Sequence, residues 1–137
     1  MRSVDLSLRV RYSETDAMGI VYHANYLVWF EIGRTEFCRV AGFPYRSMED
    51  SGLWILVTDV DCRYRRSARY DDEILVRTTM PELGSRIVVF RYEIFGPQNV
   101  LLADGGTRHV FADPSGKPRR APQEILEGLA KFRSAVP

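Results

Sequence analysis

The chain lacks most of the features that mark disulfide-rich, metal-binding or membrane-spanning proteins. Among its 137 residues only Cys38 and Cys62 are cysteines, and both lie in apolar segments without metal-type spacing. We expect two reduced thiols in a reducing compartment, and no secretory signal pattern is present, so the cytoplasm is the expected location. No apolar run reaches the length that spans a bilayer, so no integral membrane contact is expected.

An excess of charge of one sign is also missing. The 19 Lys and Arg residues against 18 Asp and Glu residues give a net charge of +1 at pH 7. Without a block of like charge there is no electrostatic case for nucleic acid as a partner. His23 and His109 have no clustered partners, and no G-x-S-x-G sequence occurs, which argues against a metal site and a serine nucleophile elbow. We expect no metal and no cofactor.

The chain does have the hydrophobic content of one domain, expected over residues 1–137. Hydrophobic residues make up 45% and charged residues 27%, enough for one core and too little length for two. Period-two alternation predicts a first strand, with one face formed by Val4, Leu6, Leu8, Val10 and Tyr12. Helical spacing follows over Tyr26, Phe30, Gly33, Phe37 and Ala41, and Gly42 and Pro44 end a helix of about four or five turns.

Four further strands and a second helix are predicted downstream. Residues 43–52 form a connector with at most one helical turn, and a long strand follows with Trp54, Leu56, Thr58, Val60, Cys62 and Tyr64 on one face. Residues 74–80 and 88–94 form a hairpin, and residues 100–111 a last strand whose Gly105-Gly106 pair indicates a bulge, a bend or close approach by a ligand. A helix begins at Pro122. This order predicts an α+β domain whose exposed sheet edges favour a homodimer.

Chemistry is expected where the first strand joins the long helix, in YSETDAMGIVYHANYLVWFE (residues 12–31). Gly19 allows a tight turn, and the helix begins about seven residues after Asp16. A helix N-terminus offers unpaired N–H groups and a positive dipole end, which favour a developing oxyanion. From spacing alone, Asp16 fits equally well as a cap of the turn or helix.

This segment resembles the N-terminal motif of hotdog-fold thioesterases. The matching residues are Tyr12, Asp16, Gly19, Val21, Tyr22, His23, Asn25, Tyr26, Phe30, Glu31 and Arg34. The resemblance is closest to the 4-hydroxybenzoyl-CoA thioesterase family, including the acyl-CoA thioesterases associated with the Tol-Pal system, and extends to residues 64–72 and 107–122. It implies a long helix wrapped by a five-stranded antiparallel sheet that dimerises through the sheet, giving a homodimer or homotetramer.

The resemblance also implies hydrolysis of acyl-CoA thioesters to a carboxylic acid and coenzyme A. The family's catalytic aspartate matches Asp16, acting as nucleophile or as general base, and its helix-start histidine matches His23. The N–H at or near His23 is expected to stabilise the oxyanion, while the His23 side chain either holds substrate or water or bonds within the turn. Glu14 departs from the family pattern and is a competing carboxylate; Ser67 stands where proline is common.

Predicted substrate contacts are Gly19, Val21, Tyr22, Tyr26, Ser85 and Arg86. Tyr22 and Tyr26 also fit core aromatics with a satisfied hydroxyl, and Glu31 and Arg34 fit an ion pair or a subunit contact better than chemistry. Arginines suit the phosphates of coenzyme A. Besides Arg86, the basic residues that could bind these phosphates are Arg63, Arg65, Arg66, Arg69, Lys117, Arg119 and Arg120. The residues Trp29, Phe43, Met48 and Trp54 line an acyl pocket or fill the core. An alternative function is a hotdog module that binds acyl-CoA or a partner without turnover.

Overall fold

The structure, a computed structural model, describes residues 1–135 and is a five-stranded antiparallel sheet with helices on one face. The strands are β1 (Ser3–Arg9), β2 (Trp54–Tyr64), β3 (Glu73–Leu83), β4 (Ile87–Phe95) and β5 (Leu101–Ala112). The helices are α1 (Asn25–Val40), α2 (Tyr45–Asp50) and α3 (Gln123–Ser134). The strand order across the sheet is β1-β3-β4-β5-β2. This arrangement confirms the predicted α+β class.

Helix α1 lies across the inner face of the sheet, against β1, β3 and β4. The Phe30 ring stacks on Tyr92 of β4, with centroids 4.4 Å apart and planes 8° from parallel. A Cβ atom on Gly33 would lie 2.5 Å from Thr78 Oγ1 and 2.8 Å from Val76 Cγ1 in β3. The close approach predicted at Gly33 is therefore confirmed, and it sets how tightly α1 packs on the sheet.

The first strand is shorter than predicted. Val4 and Val10 are buried as expected, but the chain forms a 3-10 turn over Tyr12–Glu14 and Tyr12 is 77% exposed. The cause is a change of partner, because the N–H and C=O of Val10 bond to Asp72 and Asp71 rather than continuing the ladder with β3. The prediction that Tyr12 faces the core is wrong, and Glu14 is buried in its place.

The predicted face of β2 is wrong for its first half because the strand contains a β-bulge. Val57 pairs with His109 and Asp59 pairs with Arg108, which leaves Thr58 as an extra residue. Beyond the bulge, the inner-facing residues are Val60, Cys62 and Tyr64, as predicted. Before the bulge, the inner face carries Ile55 and Val57, and the predicted Trp54 and Leu56 point outward.

The middle of the inner face of β2 is uncovered in the protomer. Val57 and Val60 are 45% and 47% exposed although both point to the helix side of the sheet. Helix α1 packs mainly on β1, β3 and β4, and its Tyr26 contacts Tyr64 at the end of β2, so Val57 and Val60 are left without a cover. An uncovered apolar strip along an unpaired strand is the kind of edge that a second copy covers.

The glycine pair in β5 has a structural cause. β5 passes Gly105 and Gly106 without a register shift, so no bulge is present there. A Cβ on Gly105 would collide with the main-chain carbonyl of Asp61 in β2. The neighbouring strand therefore approaches too closely for a side chain at Gly105, which accounts for this glycine without a bulge.

Three of the four candidate pocket residues belong to the core. Trp29 and Met48 are buried, and the short helix α2 carries Met48 within the predicted connector. Phe43 lies against α3, where a Cβ on Gly128 would meet its ring. Trp54 is half-buried at the start of β2. Residues of these types therefore fill the protein interior more than they line a pocket.

A buried polar network lies between α1 and the sheet. His109 Nε2 is 2.7 Å from Thr107 Oγ1, which is 2.6 Å from the Tyr92 hydroxyl, and His109 is fully buried. Burial, with a smaller contribution from the positive charge of Arg34, lowers the pKa of His109 from 6.5 to about 4. The folded chain therefore binds fewer protons than the unfolded chain between these two pH values, so acid weakens the fold there.

We expect the free energy of unfolding to fall by about 3 kcal/mol more for the wild-type chain than for a His109→Gln variant between pH 7 and pH 4. The unfolded histidine takes up a proton in this range, and the folded one, with its pKa near 4, resists it. Urea titrations at a series of pH values measure the difference. Parallel pH profiles for the two proteins would contradict the assignment.

Candidate active site

The two carboxylates of the strand–helix junction have different environments. Glu14 is 5% exposed, and its Oε2 accepts the indole N–H of Trp29 at 3.0 Å. Its Oε1 accepts the main-chain N–H of Arg11 at 2.8 Å. Because both of its oxygens accept hydrogen bonds inside the protein, Glu14 fastens the 3-10 turn to α1 and is not a free carboxylate.

Asp16 is half-buried and holds a tight turn. Its main-chain N–H donates to Ile20 at 2.9 Å, its carbonyl accepts the N–H of Gly19 at 3.0 Å, and Oδ1 accepts the N–H of Met18 at 2.8 Å. Gly19 has φ +79°, the left-handed conformation predicted for it. Asp16 Oδ2 has no hydrogen-bond partner in residues 1–135. The turn-capping interpretation is thus correct for one oxygen, and the other oxygen is free.

The N-terminus of α1 is uncapped. Its N-cap residue is Ala24, which has no side-chain acceptor, and no acidic residue occupies the first turn. Asn25 donates its side-chain amide to the Glu14 carbonyl at 2.9 Å, away from the helix end. Within the described chain, the main-chain N–H groups of His23 and Ala24 have no acceptor. Two free donors and the positive end of the helix dipole therefore meet at this point.

Main-chain bonds hold the Asp16 turn beside this helix end. Thr15 and Val21 form an antiparallel bridge, and the N–H of Tyr22 donates to the Glu14 carbonyl at 2.9 Å. The chain therefore runs out to Asp16 and returns directly to His23. A carboxylate and a pair of N–H donors on one short antiparallel segment is a geometry suited to attack on a carbonyl group.

A cleft of about 200 Å³ opens next to the helix end. Its lining residues are Ile20, Val21, His23, Tyr26, Tyr64, Arg65, Arg66 and Ser67. Three predicted site residues, Val21, His23 and Tyr26, thus share one cleft. Asp16 and Gly19 lie on the turn that presents Ile20 to it, and Tyr22 is 49% exposed beside His23.

Two tyrosines define the floor of this cleft. Tyr26 is 2% exposed, and its hydroxyl accepts the N–H of Ala68 at 3.0 Å, which matches a core aromatic with a satisfied hydroxyl. The hydroxyl of Tyr64 donates to the His23 carbonyl at 3.0 Å. A tyrosine phenol is protonated at neutral pH in any case, and partial burial raises the pKa of Tyr64 further, to about 12. The sequence placed Tyr64 on a strand face and at the start of a segment that resembles the family, but no pattern indicated its contact with His23.

The predicted pair Ser85 and Arg86 lies elsewhere in the protomer. These residues precede Ile87, which pairs with Val110 of β5, whereas Tyr64 pairs with Ala103. The two positions on β5 are roughly 20 Å apart at about 3.3 Å per residue. Within one protomer, the structure does not bring Ser85 and Arg86 to the cleft.

The candidate arginines differ in the hydrogen bonds and ion pairs that they form within the protein. Arg65 lies at the cleft but pairs with Asp104 through bonds of 2.9 and 3.3 Å. Arg66 lines the cleft without an ion pair among the described residues. Arg119 donates to the carbonyls of Gly52 and Arg120. Arg66 is therefore the cleft-lining arginine whose charge is free for a ligand.

Of the two interpretations left open for Glu31 and Arg34, the intrahelical ion pair is absent, and the subunit contact stays a prediction. Glu31 and Arg34 form no salt bridge within residues 1–135, and the ion pair in this helix joins Glu36 to Arg39 at 3.2 Å. Arg34 points into the protein, where the hydroxyls of Tyr92 and Tyr45 raise its pKa against the effect of burial. The interior position of Arg34 explains why it does not reach Glu31 on the exposed side.

Residues 1–135 lack two features that would indicate a different kind of protein. No group of three or more His, Cys, Asp and Glu side chains is placed to hold a metal ion there. In the same residues, no helix combines the length and the apolar character needed to cross a bilayer.

The chain is similar in sequence and in structure to known thioesterases. The family model described as the thioesterase-like superfamily matches residues 10–129. The acyl-CoA thioester hydrolase YbgC of Escherichia coli O6:H1 is 32% identical over 120 residues, covering 87% of this chain and 90% of that protein. The crystal structure of the DHNA-CoA thioesterase of Staphylococcus aureus superimposes with a TM-score of 0.92 at 31% identity, covering 98% and 93% of the two chains. A 4-hydroxybenzoyl-CoA thioesterase structure shares the fold, with a TM-score of 0.85 at 21% identity over 94% of this chain and 99% of that one.

The different roles of the two carboxylates can be separated by stability. We expect Glu14→Ala to lower the free energy of unfolding by about 2–3 kcal/mol, because the Trp29 and Arg11 donors lose a charged acceptor. Asp16→Asn is the matched variant and should change it by less than about 0.5 kcal/mol, since asparagine also caps such turns. Urea unfolding followed by circular dichroism measures both. An equal loss in the two variants would show that Asp16 is structural as well.

Proposed function

Because the chain belongs to the thioesterase-like superfamily, we propose that it hydrolyses acyl-CoA thioesters to a free carboxylic acid and coenzyme A. The supporting observation is the free Oδ2 of Asp16 beside an uncapped helix end with two unbonded N–H groups. Thioester hydrolysis needs an attacking or activating group and donors for the tetrahedral oxygen, and this junction offers both. The acyl-CoA thioesterases among its relatives support the same substrate class.

The N–H groups of His23 and Ala24 bind the thioester carbonyl oxygen and stabilise the negative charge that develops on it. In one route, Asp16 Oδ2 attacks the acyl carbon, the C–S bond breaks, and water hydrolyses the mixed anhydride after the coenzyme A thiolate leaves. In the other route, Asp16 removes a proton from water, which attacks the same carbon, and the proton passes to the departing thiolate. Both routes use the same free carboxylate oxygen.

The other cleft residues shape and orient the substrate. The exposed imidazole of His23 contacts the acyl group or the attacking water at the mouth of the cleft. The acyl site is lined by Val21, Tyr22 and Tyr26. Gly19 keeps the Asp16 turn small enough for the thioester to approach. Arg66 interacts with the phosphates of coenzyme A near the cleft.

The active assembly is a homodimer that extends the sheet through β2, with the homotetramer as a higher assembly. The unpaired edge of β2 and its exposed inner residues Val57 and Val60 support this arrangement. Antiparallel pairing of β2 with its copy places the Trp54 end of one strand beside the Tyr64 end of the other. Ser85 and Arg86 of the partner subunit then approach the cleft, where they bind the nucleotide part of the substrate.

The cytoplasm is the proposed location. Cys38 and Cys62 are both free thiols, and Cys62 lies on the half-buried edge strand. Free thiols persist in reducing compartments, and acyl-CoA substrates are consistent with the same compartment.

Replacement of Asp16 by asparagine tests the catalytic assignment. We expect Asp16→Asn to lower kcat at least about 1,000-fold with KM changed less than about threefold, because the attacking oxygen is lost and binding groups remain. Asp50→Asn, an exposed carboxylate at the end of α2, is the control and should match the wild type. Aliphatic, hydroxybenzoyl and dihydroxynaphthoyl thioesters form the substrate panel, ranked by kcat/KM. Wild-type protein that binds but does not hydrolyse any of them would favour the alternative, a binding module without turnover.

Charged residues on the inner face of β2 test the dimer. The double change Val57→Asp and Val60→Asp should convert a dimer or tetramer to smaller species and abolish hydrolysis, because the uncovered strip then repels a second copy. Val100→Asp, at a 38% exposed valine before β5, is the matched control. Light scattering coupled to size exclusion measures the mass. A wild-type monomer with full activity would contradict the dimer.

A further inference from the structure

Tyr64 makes a contact at the cleft that the proposed reaction does not use. It is the last residue of β2, and its hydroxyl donates to the main-chain carbonyl of His23 at 3.0 Å. Its ring packs edge-on against His23 and Tyr26, with centroid separations of 6.2 and 5.2 Å. A side chain of the sheet edge thus holds one peptide group at the start of α1.

That peptide group carries one of the two free donors. The C=O of His23 and the N–H of Ala24 belong to the same planar amide and point in opposite directions. The carbonyl oxygen accepts the Tyr64 hydroxyl and also the N–H of Tyr26 at 3.3 Å, so its direction is fixed. The direction of the Ala24 N–H is then fixed as well. A hydrogen bond to an amide oxygen also polarises the amide and strengthens its N–H as a donor.

We propose that Tyr64 is a positioning residue for thioester hydrolysis, in which its phenol aims and polarises the Ala24 N–H toward the developing oxyanion. This proposal rests on the proposed function. Tyr64 acts through the His23–Ala24 peptide, and its hydroxyl contacts neither the acyl carbon nor the leaving thiolate. Its contribution therefore grows with the charge on the carbonyl oxygen and affects the transition state more than substrate binding.

Tyr64→Phe removes the hydroxyl and keeps the ring. We expect kcat for the best acyl-CoA substrate to fall about tenfold to hundredfold, less than the loss of a whole oxyanion donor. We expect KM to change less than about twofold, since the aromatic wall of the cleft is retained. A thioether analogue of acyl-CoA, which lacks the carbonyl, should bind the variant and the wild type equally in calorimetry.

The matched control is Tyr70→Phe. Tyr70 is a 55% exposed tyrosine whose hydroxyl makes no hydrogen bond within the described chain, so this variant should retain the wild-type kcat. Equal kcat values for Tyr64→Phe and the wild type would overturn the proposal. A lower kcat accompanied by a lower Tm and weaker binding of the thioether analogue would also overturn it, because that pattern marks a structural role.

The same measurements separate this proposal from the proposed function. A wild-type protein that hydrolyses no thioester of the panel would remove the function and the role of Tyr64 together. An active wild type with an equally active Tyr64→Phe variant would remove only the role of Tyr64.

Discussion

The rest of the site depends on the two hydrogen bonds accepted by the buried carboxylate of Glu14. One oxygen accepts the indole N–H of Trp29 in α1 and the other accepts the main-chain N–H of Arg11 just before the turn, so one side chain ties the start of the turn to the helix. A buried carboxylate is costly unless both oxygens are bonded, and here both are. The Asp16 turn therefore projects from a fixed base, and its free oxygen remains available for chemistry.

A second constraint is the uncovered middle of the edge strand β2. Helix α1 lies mainly on β1, β3 and β4 and leaves Val57 and Val60 exposed. The strand–helix junction meets the Tyr64 end of the same strand. In the proposed dimer, the copy that covers Val57 and Val60 also borders the space beside His23, so the proposed assembly and the shape of the cleft are linked.

The sequence predicted the fold well because each element carries a regular pattern. Alternation and helical spacing located all five strands and the long helix, and the mid-helix Gly33 correctly indicated close packing. Errors arose where a single residue interrupts a pattern. The bulge at Thr58 reverses the faces of Trp54 and Leu56, and new main-chain partners for Val10 end the first strand before Tyr12. Residue propensities predict neither the bulge nor the early strand end, because both depend on pairing with other parts of the chain.

For the candidate site, the sequence located the turn and the helix start but not the contacts made by burial or by distant residues. The resemblance to hotdog thioesterases selected Asp16 and His23, and the structure brings the turn and the helix end together. The separate roles of Glu14 and Asp16 could not be read from spacing, because burial decides which carboxylate is bonded inside. Tyr64 contacts His23 across a long sequence separation, and Ser85 and Arg86 lie far from the cleft within one protomer, so their proposed substrate contact depends on the proposed dimer.

The most direct measurement is a crystal structure of the Asp16→Asn variant with a bound acyl-CoA substrate. We expect the thioester oxygen within about 2.7–3.1 Å of the main-chain nitrogens of His23 and Ala24. The side-chain oxygen or nitrogen of residue 16 should lie about 3–3.5 Å from the acyl carbon, or one water molecule away from it. A thioester bound away from the α1 N-terminus, with residue 16 turned from the acyl carbon, would contradict the catalytic role of this junction.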